Sequence, residues 1–124
     1  MAEKFTFNDK LLKLSGLSDE ILLKAKKSAG FISIQDTLAK IHAGKGVLYG
    51  DYVKTRSQEP ENFALLSLFF DVKRKYVRFE NMAKMIASGE KLSHDEIIDT
   101  LSDLAVYGVM GLMLMNYLEG KQND

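Results

Sequence analysis

Three carboxylates follow one line of a predicted helix in DEIIDTLSDLAVYGVMGLMLM, residues 95–115. Glu96, Asp99 and Asp103 recur at spacings of three and four, which places them on one helical face. Carboxylates packed side by side repel one another, so they need a cation or basic side chains between them. Oxygen-rich sets of this kind suit Mg²⁺ or Mn²⁺, which also bind phosphate. The spacing therefore predicts a divalent-metal site with these three ligands.

A solvated acidic edge is the alternative interpretation of the same residues. Ser93 and Glu96 match a capping box, and acidic residues in a first turn are stabilised by the helix dipole. Glu96 is then only a cap. Asp99 and Asp103 are harder to explain in this way, because Asp is a poor residue for the middle of a helix.

A basic set lies on the preceding predicted helix. Within LLSLFFDVKRKYVRFENMAKMI, the residues Asp71, Arg74, Lys75 and Arg78 gather on one side. Cations beside carboxylates and a metal are the arrangement that phosphoryl chemistry needs, because they offset charge on phosphate oxygens. The alternative for Asp71 and Lys75 is an ordinary surface pair at i,i+4.

The segment GKGVLYGDYVKTRSQ, residues 44–58, is predicted to be a long loop. Long ordered loops are often functional. Lys45 is a candidate phosphate contact and Tyr49 a candidate for stacking on a base, whereas the alternative is a solvated turn. The segment lacks the glycine and lysine spacing of a P-loop.

Four helices are predicted to position these residues, at about 18–28, 33–43, 60–88 and 93–119. One short segment joins the helices predicted at 60–88 and 93–119, which predicts a long antiparallel hairpin. No segment alternates as a strand does, so the fold class is all-α, a helical bundle in one domain with residues 1–17 as an N-terminal arm. In the last helix we predict a core face. It consists of Ile97, Ile98, Leu101, Leu104, Ala105, Gly108 and Leu112.

A second stripe of the last helix continues the acidic line into Tyr107, Met110, Leu114 and Tyr117. This stripe lies on roughly the opposite side from the predicted core face. A hairpin alone cannot cover both faces, so other helices or a second subunit must pack on the stripe.

Composition narrows the function classes. The 124 residues carry 17 basic and 17 acidic side chains, and a net charge of zero argues against direct nucleic-acid or membrane-surface binding. The chain has no cysteine, which excludes disulfides and thiolate chemistry and fits a cytoplasmic protein. The N-terminal residues lack the apolar region of a secretory signal, and the run 104–115 is shorter than the roughly 18 residues of a membrane span.

Three segments together resemble a known family. KGVLYGD (45–51), RKYVRFENM (74–82) and DEIIDTLSDLAVYGVMGLML (95–114) resemble the nucleotide modification associated domain of phages and bacteria, which is related to the MazG-type all-α NTP pyrophosphohydrolases. The resemblance covers about residues 33–117, and DTLSDLAVY (99–107) is its specific part.

The resemblance implies a helical bundle assembled as a dimer or tetramer. It implies Mg²⁺-dependent hydrolysis of a (deoxy)nucleoside triphosphate to the monophosphate and pyrophosphate, in the host cytoplasm if the protein is phage-encoded. The implied metal ligands are Glu96, Asp99 and Asp103. The implied substrate contacts are Lys45, Tyr49, Lys75, Arg78 and Tyr107, and Asp71 or Glu96 is the candidate proton acceptor.

The sequence departs from the family pattern at several positions. Leu48 and Arg74 stand where relatives carry Asp, Asp95 rather than Glu stands four residues before Asp99, and the third predicted helix has no Glu-x-x-Glu. The alternative function is therefore a non-catalytic helical oligomeric interaction protein, a class that includes viral proteins, in which the Tyr/Met/Leu stripe is a partner surface.

Overall fold

The computed structural model describes residues 5–122 and contains six α-helices within that range. They are α1 (Phe7–Leu14), α2 (Asp19–Lys24), α3 (Ala29–Tyr49), α4 (Tyr52–Ser57), α5 (Glu61–Ala87) and α6 (His94–Gln122). No strand occurs among the described residues, so the all-α prediction is confirmed. The described residues divide into two compact units, with the boundary between residues 36 and 37.

The first unit contains two short capped helices. A capping box starts α1: the Asp9 amide donates to the Thr6 hydroxyl, and the Thr6 amide donates to the Asp9 carboxylate at 2.8 Å. The Ser18 hydroxyl caps α2 by accepting from the Ile21 amide at 3.2 Å. The predicted arm is thus partly helical, and the helix predicted over 18–28 ends early, at Lys24.

The prediction of a long loop over residues 44–58 is wrong, because most of this segment is helical. The Ser28 hydroxyl accepts from the Phe31 amide, so α3 begins at Ala29 and runs through three glycines to Tyr49. It ends at Gly50, whose φ of 87° lies in the left-handed region, which glycine adopts at little energetic cost because it has no Cβ. Asp51 then caps α4 by accepting from the Lys54 amide at 3.0 Å. A glycine inside a helix costs only about 1 kcal/mol, which neighbouring turns can offset.

The predicted hairpin is present as α5 and α6. Pro60 is the N-cap of α5, and Gly89, with φ of 85°, follows its last turn. The two helices pack closely where a Cβ added to Gly111 would lie 3.1 Å from the Leu68 side chain. Both α4 and α5 contact α6.

The predicted core face of α6 is wrong. Leu114 and Leu118 are buried and pack with Ala64 of α5, whereas Ile98 is 62% exposed and Leu112 is 42% exposed. The buried positions belong to the stripe that continues the acidic line, because α4 and α5 both pack on that side. We call it the inner face. Its members are Thr100, Asp103, Tyr107, Met110, Leu114 and Leu118.

The opposite side of α6, which we call the outer face, is largely uncovered in this chain. Its exposed apolar members are Ile98, Leu101, Val109 and Leu112. The sequence also predicts a core stripe on α5, made of Phe69, Val72, Tyr76, Phe79 and Ala83. It is only partly covered, because Phe69 and Tyr76 are more than half exposed, Ala83 is exposed, and Val72 and Phe79 are half-buried.

The length and composition of α6 satisfy the requirements for crossing a bilayer over His94–Lys121. Core helices of water-soluble proteins meet the same requirements, so length and composition alone do not establish that α6 crosses a membrane. The absence of a membrane span stays a prediction.

Candidate functional site

Three helices bring charged side chains together at Asp103, on the inner face of α6. Lys45 of α3 places its Nζ 3.3 Å from one carboxylate oxygen, and Lys75 of α5 places its Nζ 2.9 Å from the other. The Asp103 side chain is only 13% exposed, Lys75 is 22% exposed and Lys45 is 53% exposed. We call these three residues the lysine–aspartate cluster.

Asp103 is ionised in this cluster. Burial is the largest single effect and raises the pKa of the carboxyl group. The hydrogen bonds and positive charges of Lys75 and Lys45 together lower the pKa by more than burial raises it, so the pKa of Asp103 lies below its usual value. With both lysines protonated, the cluster carries two positive charges and one negative charge. It therefore has an excess of positive charge beside the inner face.

The other two predicted metal ligands lie apart from this cluster. Asp99 is 64% exposed, and one of its oxygens lies 4.0 Å from Nη1 of Arg78. Glu96 is exposed, and within the described residues its side chain makes no hydrogen bond or ion pair. Among the residues that the structure describes, no three His, Cys, Asp or Glu side chains lie close enough to hold one metal ion.

The capping box predicted for α6 is not formed. The Ser93 hydroxyl accepts from the amide of Asp95 at 3.2 Å rather than from that of Glu96. The Glu96 carbonyl accepts from the hydroxyl of the buried Thr100 at 2.9 Å. Glu96 is therefore an exposed carboxylate whose side chain does not serve as a cap.

Asp71 is held by two donors. The Tyr52 hydroxyl donates to one of its oxygens at 2.7 Å, and Nη2 of Arg74 lies 3.4 Å from the other. Burial and the neighbouring Asp71 carboxylate raise the pKa of Tyr52, so the phenol remains a donor at neutral pH. This contact joins α4 to α5, and it leaves Asp71 less free to accept a proton from water.

Tyr52 also contacts the inner face of α6. Its ring meets the ring of Tyr107 edge-on, with centroids 5.5 Å apart and planes at 78°. The Arg56 guanidinium lies over the Tyr52 ring at 5.4 Å, and its Nη1 lies 2.8 Å from a carboxylate oxygen of Glu59. Tyr52 thus links α4 to both long helices through one side chain.

A cavity of about 580 Å³ opens next to the lysine–aspartate cluster. Three sequence-predicted residues line it, namely Lys45, Tyr49 and Tyr107. Lys45 belongs to both the cavity wall and the cluster, so the two form one continuous site. The cavity has the size of a small-molecule site, with apolar walls and a few polar groups.

Several cavity residues were not predicted from the sequence. They are His42, Tyr52, Val106 and Met110. The signal for Tyr52 is its i,i+4 spacing to Arg56 directly after Asp51, a residue that favours helix N-caps. That spacing indicates a short helix inside the segment that was predicted to be a loop.

Comparison of the chain with protein-family models, with curated proteins and with solved structures finds no match.

Proposed function

We propose that the protein hydrolyses a nucleoside triphosphate to the monophosphate and pyrophosphate. The observation that carries this proposal is the convergence of Lys45 and Lys75 beside a cavity walled by tyrosines. A nucleotide carries a flat base and anionic phosphates on a sugar, and the site offers ring surfaces for the base and ammonium groups for the phosphates.

The lysines suit the triphosphate. Each ammonium group has three N–H donors, so a lysine in contact with Asp103 keeps donors for phosphate oxygens. Arg78, at the exposed end of the acidic line, adds a further cation. Tyr49 and Tyr107 offer ring surfaces to the base, and stacking of this kind contributes about 1–3 kcal/mol per base.

Hydrolysis requires water to attack a phosphorus while the anhydride bond to the pyrophosphate group breaks. The proton of the attacking water passes to a carboxylate. Of the two candidate acceptors, Asp71 has both oxygens engaged by Tyr52 and Arg74, whereas the Glu96 carboxylate is exposed and lies apart from the lysine–aspartate cluster.

Mg²⁺, or Mn²⁺, is part of the proposal. The oxygens of Glu96, Asp99 and Asp103 are the right ligand type, and the metal would offset charge on the phosphates. In the present arrangement both oxygens of Asp103 face lysines, so the three carboxylates do not form one metal site. We therefore assign no step of the reaction to a protein-held metal.

The test is to incubate each NTP and dNTP with the protein and Mg²⁺ and to measure monophosphate and pyrophosphate by anion-exchange chromatography. Lys75→Met should lower turnover by about 100-fold, the usual cost of removing one charge-stabilising donor. Lys73→Met, an exposed position on the same helix, is the matched control and should stay within about twofold of the unsubstituted protein. Absence of turnover with every nucleotide would refute the proposal.

A second candidate is a non-catalytic helical interaction protein that forms oligomers. The exposed outer face of α6 favours it, because contiguous apolar surface of this kind marks protein contacts. A homodimer or homotetramer is compatible with both candidates, and sedimentation velocity measures it directly. Thermal unfolding separates the candidates, since Mg²⁺ with the preferred nucleotide raises the midpoint for a nucleotide-binding enzyme and leaves it unchanged for a scaffold.

A further inference from the structure

Two ammonium groups converge on one carboxylate in the lysine–aspartate cluster. Lys45 and Lys75 approach different oxygens of Asp103, at 3.3 and 2.9 Å, from two different helices. A carboxylate oxygen and a phosphate oxygen are the same kind of acceptor for a lysine. Asp103 therefore occupies the position in which a bound anion would meet both lysines.

Lys45 is reachable from the cavity, whereas Lys75 and the Asp103 carboxylate lie outside the cavity wall. The Lys45 side chain is 53% exposed, that of Lys75 is 22% exposed and that of Asp103 is 13% exposed. An anion that enters the cavity thus meets the Lys45 ammonium group first, at the edge of the cluster. The excess positive charge of the cluster attracts such an anion.

We propose that Lys45 and Lys75 form a metal-independent binding site for a polyphosphate group. In this arrangement Asp103 is an internal anion that occupies the lysine pair when no ligand is bound, and it is not a metal ligand. The inference rests on the triphosphate site of the proposed function, but it does not depend on hydrolysis.

The two possible roles of Asp103 predict opposite effects for Asp103→Asn. As a metal ligand, Asp103 strengthens binding of a Mg²⁺–triphosphate complex, so its replacement weakens binding. As an internal anion, Asp103 competes with phosphate for the lysines, so its replacement strengthens binding. Asn keeps the shape of the side chain, removes its charge and replaces one acceptor oxygen by an NH₂ donor, so it no longer holds both ammonium groups.

The experiment is calorimetric titration of the full chain with inorganic triphosphate in the presence of EDTA. The unsubstituted protein should bind, Lys75→Gln and Lys45→Gln should each weaken binding at least about tenfold, and Lys73→Gln should leave it unchanged. Asp103→Asn should tighten binding at least about threefold. No binding in EDTA, or weaker binding by Asp103→Asn, would overturn the inference.

A titration with Mn²⁺ alone, followed by electron paramagnetic resonance, provides the second readout. Asp103→Asn should bind as much Mn²⁺ as the unsubstituted protein, and loss of bound Mn²⁺ on this substitution contradicts the proposed role. Circular dichroism establishes whether each variant is folded. If Asp103→Asn does not fold, the lysine variants still decide the matter, because unchanged triphosphate binding by both refutes the site.

A comparison of ligands identifies the source of the polyphosphate. Tighter binding of a dNTP than of inorganic triphosphate in EDTA indicates a nucleotide, and equal binding indicates an inorganic polyphosphate. Metal-free binding without turnover refutes only the proposed hydrolysis. Turnover without metal-free binding refutes only the role of the lysine pair.

Discussion

Two leucines two residues apart on α6 test which face of this helix is buried. Leu114 is fully buried and packs with Ala64 and Leu118, whereas Leu112 is 42% exposed on the outer face. Leu114→Ala removes buried methyl groups and leaves a cavity, so we expect a loss of about 2–5 kcal/mol in the free energy of unfolding. Leu112→Ala removes a half-solvated side chain and leaves no enclosed cavity, so about 1 kcal/mol is expected.

Urea unfolding followed by circular dichroism measures both values. With a slope of about 1.5 kcal/mol per molar urea, a loss of 3 kcal/mol lowers the midpoint by about 2 M. The protein must be monomeric in the assay, because a second copy that covers the outer face would add to the cost of Leu112→Ala. Sedimentation velocity at the same concentration provides that control. If Leu112→Ala costs as much as Leu114→Ala in the monomer, the assignment of the inner face is wrong.

Three further predictions concern other contacts. Tyr52→Phe should lower stability by about 0.5–1.5 kcal/mol. Because the pKa of Tyr52 is raised in the folded state, the phenol ionises in the unfolded chain at a lower pH, above about pH 10, than in the folded protein. Stability should therefore fall at alkaline pH, and urea unfolding at a series of pH values should show a smaller fall for Tyr52→Phe. The pKa of Asp103 is lowered in the folded state, so its ionised form contributes to the free energy of unfolding above about pH 4, and this contribution is lost as the pH falls through the folded pKa. Asp103→Asn should therefore lose less stability on acidification than the unsubstituted protein. A difference in unfolding free energy between the two proteins that stays constant from about pH 7 to about pH 2 would contradict this. Gly108→Ala should raise the midpoint of thermal unfolding, since nothing lies within 4 Å of the added Cβ and the helix gains about 0.5–1 kcal/mol of stability. Gly111→Ala should gain less stability, because its added Cβ lies 3.1 Å from an α5 side chain. Equal gains in the two variants would contradict the close approach of α5 and α6 at Gly111.

Local sequence signals were sufficient for the two long helices. The proline at position 60 and the glycine at position 89 stand at the ends of α5, which contains neither residue, whereas α6 runs on through Gly108 and Gly111. Termination signals were less informative in α3, which passes through Gly44 and Gly46 and stops only at Gly50. The difference is conformational: of Gly44, Gly46 and Gly50, only Gly50 has a positive φ, and the sequence does not reveal which of the three adopts it.

Periodicity could not identify the buried face of α6, because this helix has two apolar faces. Leu112 and Leu114 are equally apolar, and which of them is buried depends on where α4 and α5 pack. The same limit applies to the site. The sequence placed Lys75 and Arg78 on one side of α5, but only the packing of the helices brings Lys75 to Asp103, 28 residues further along the chain.

The acidic line and the buried apolar residues of α6 depend on each other through helix register. Asp103 and Leu114 share the inner face, so the packing of Leu114 against α5 also presents Asp103 to Lys75. A shift of one residue along a helix is 1.5 Å and a rotation of 100°, which would move the carboxylate away from both lysines and leave it buried without a counter-charge. The apolar core therefore fixes the geometry of the charged site, and the cost of an unpaired Asp103 in turn disfavours other registers.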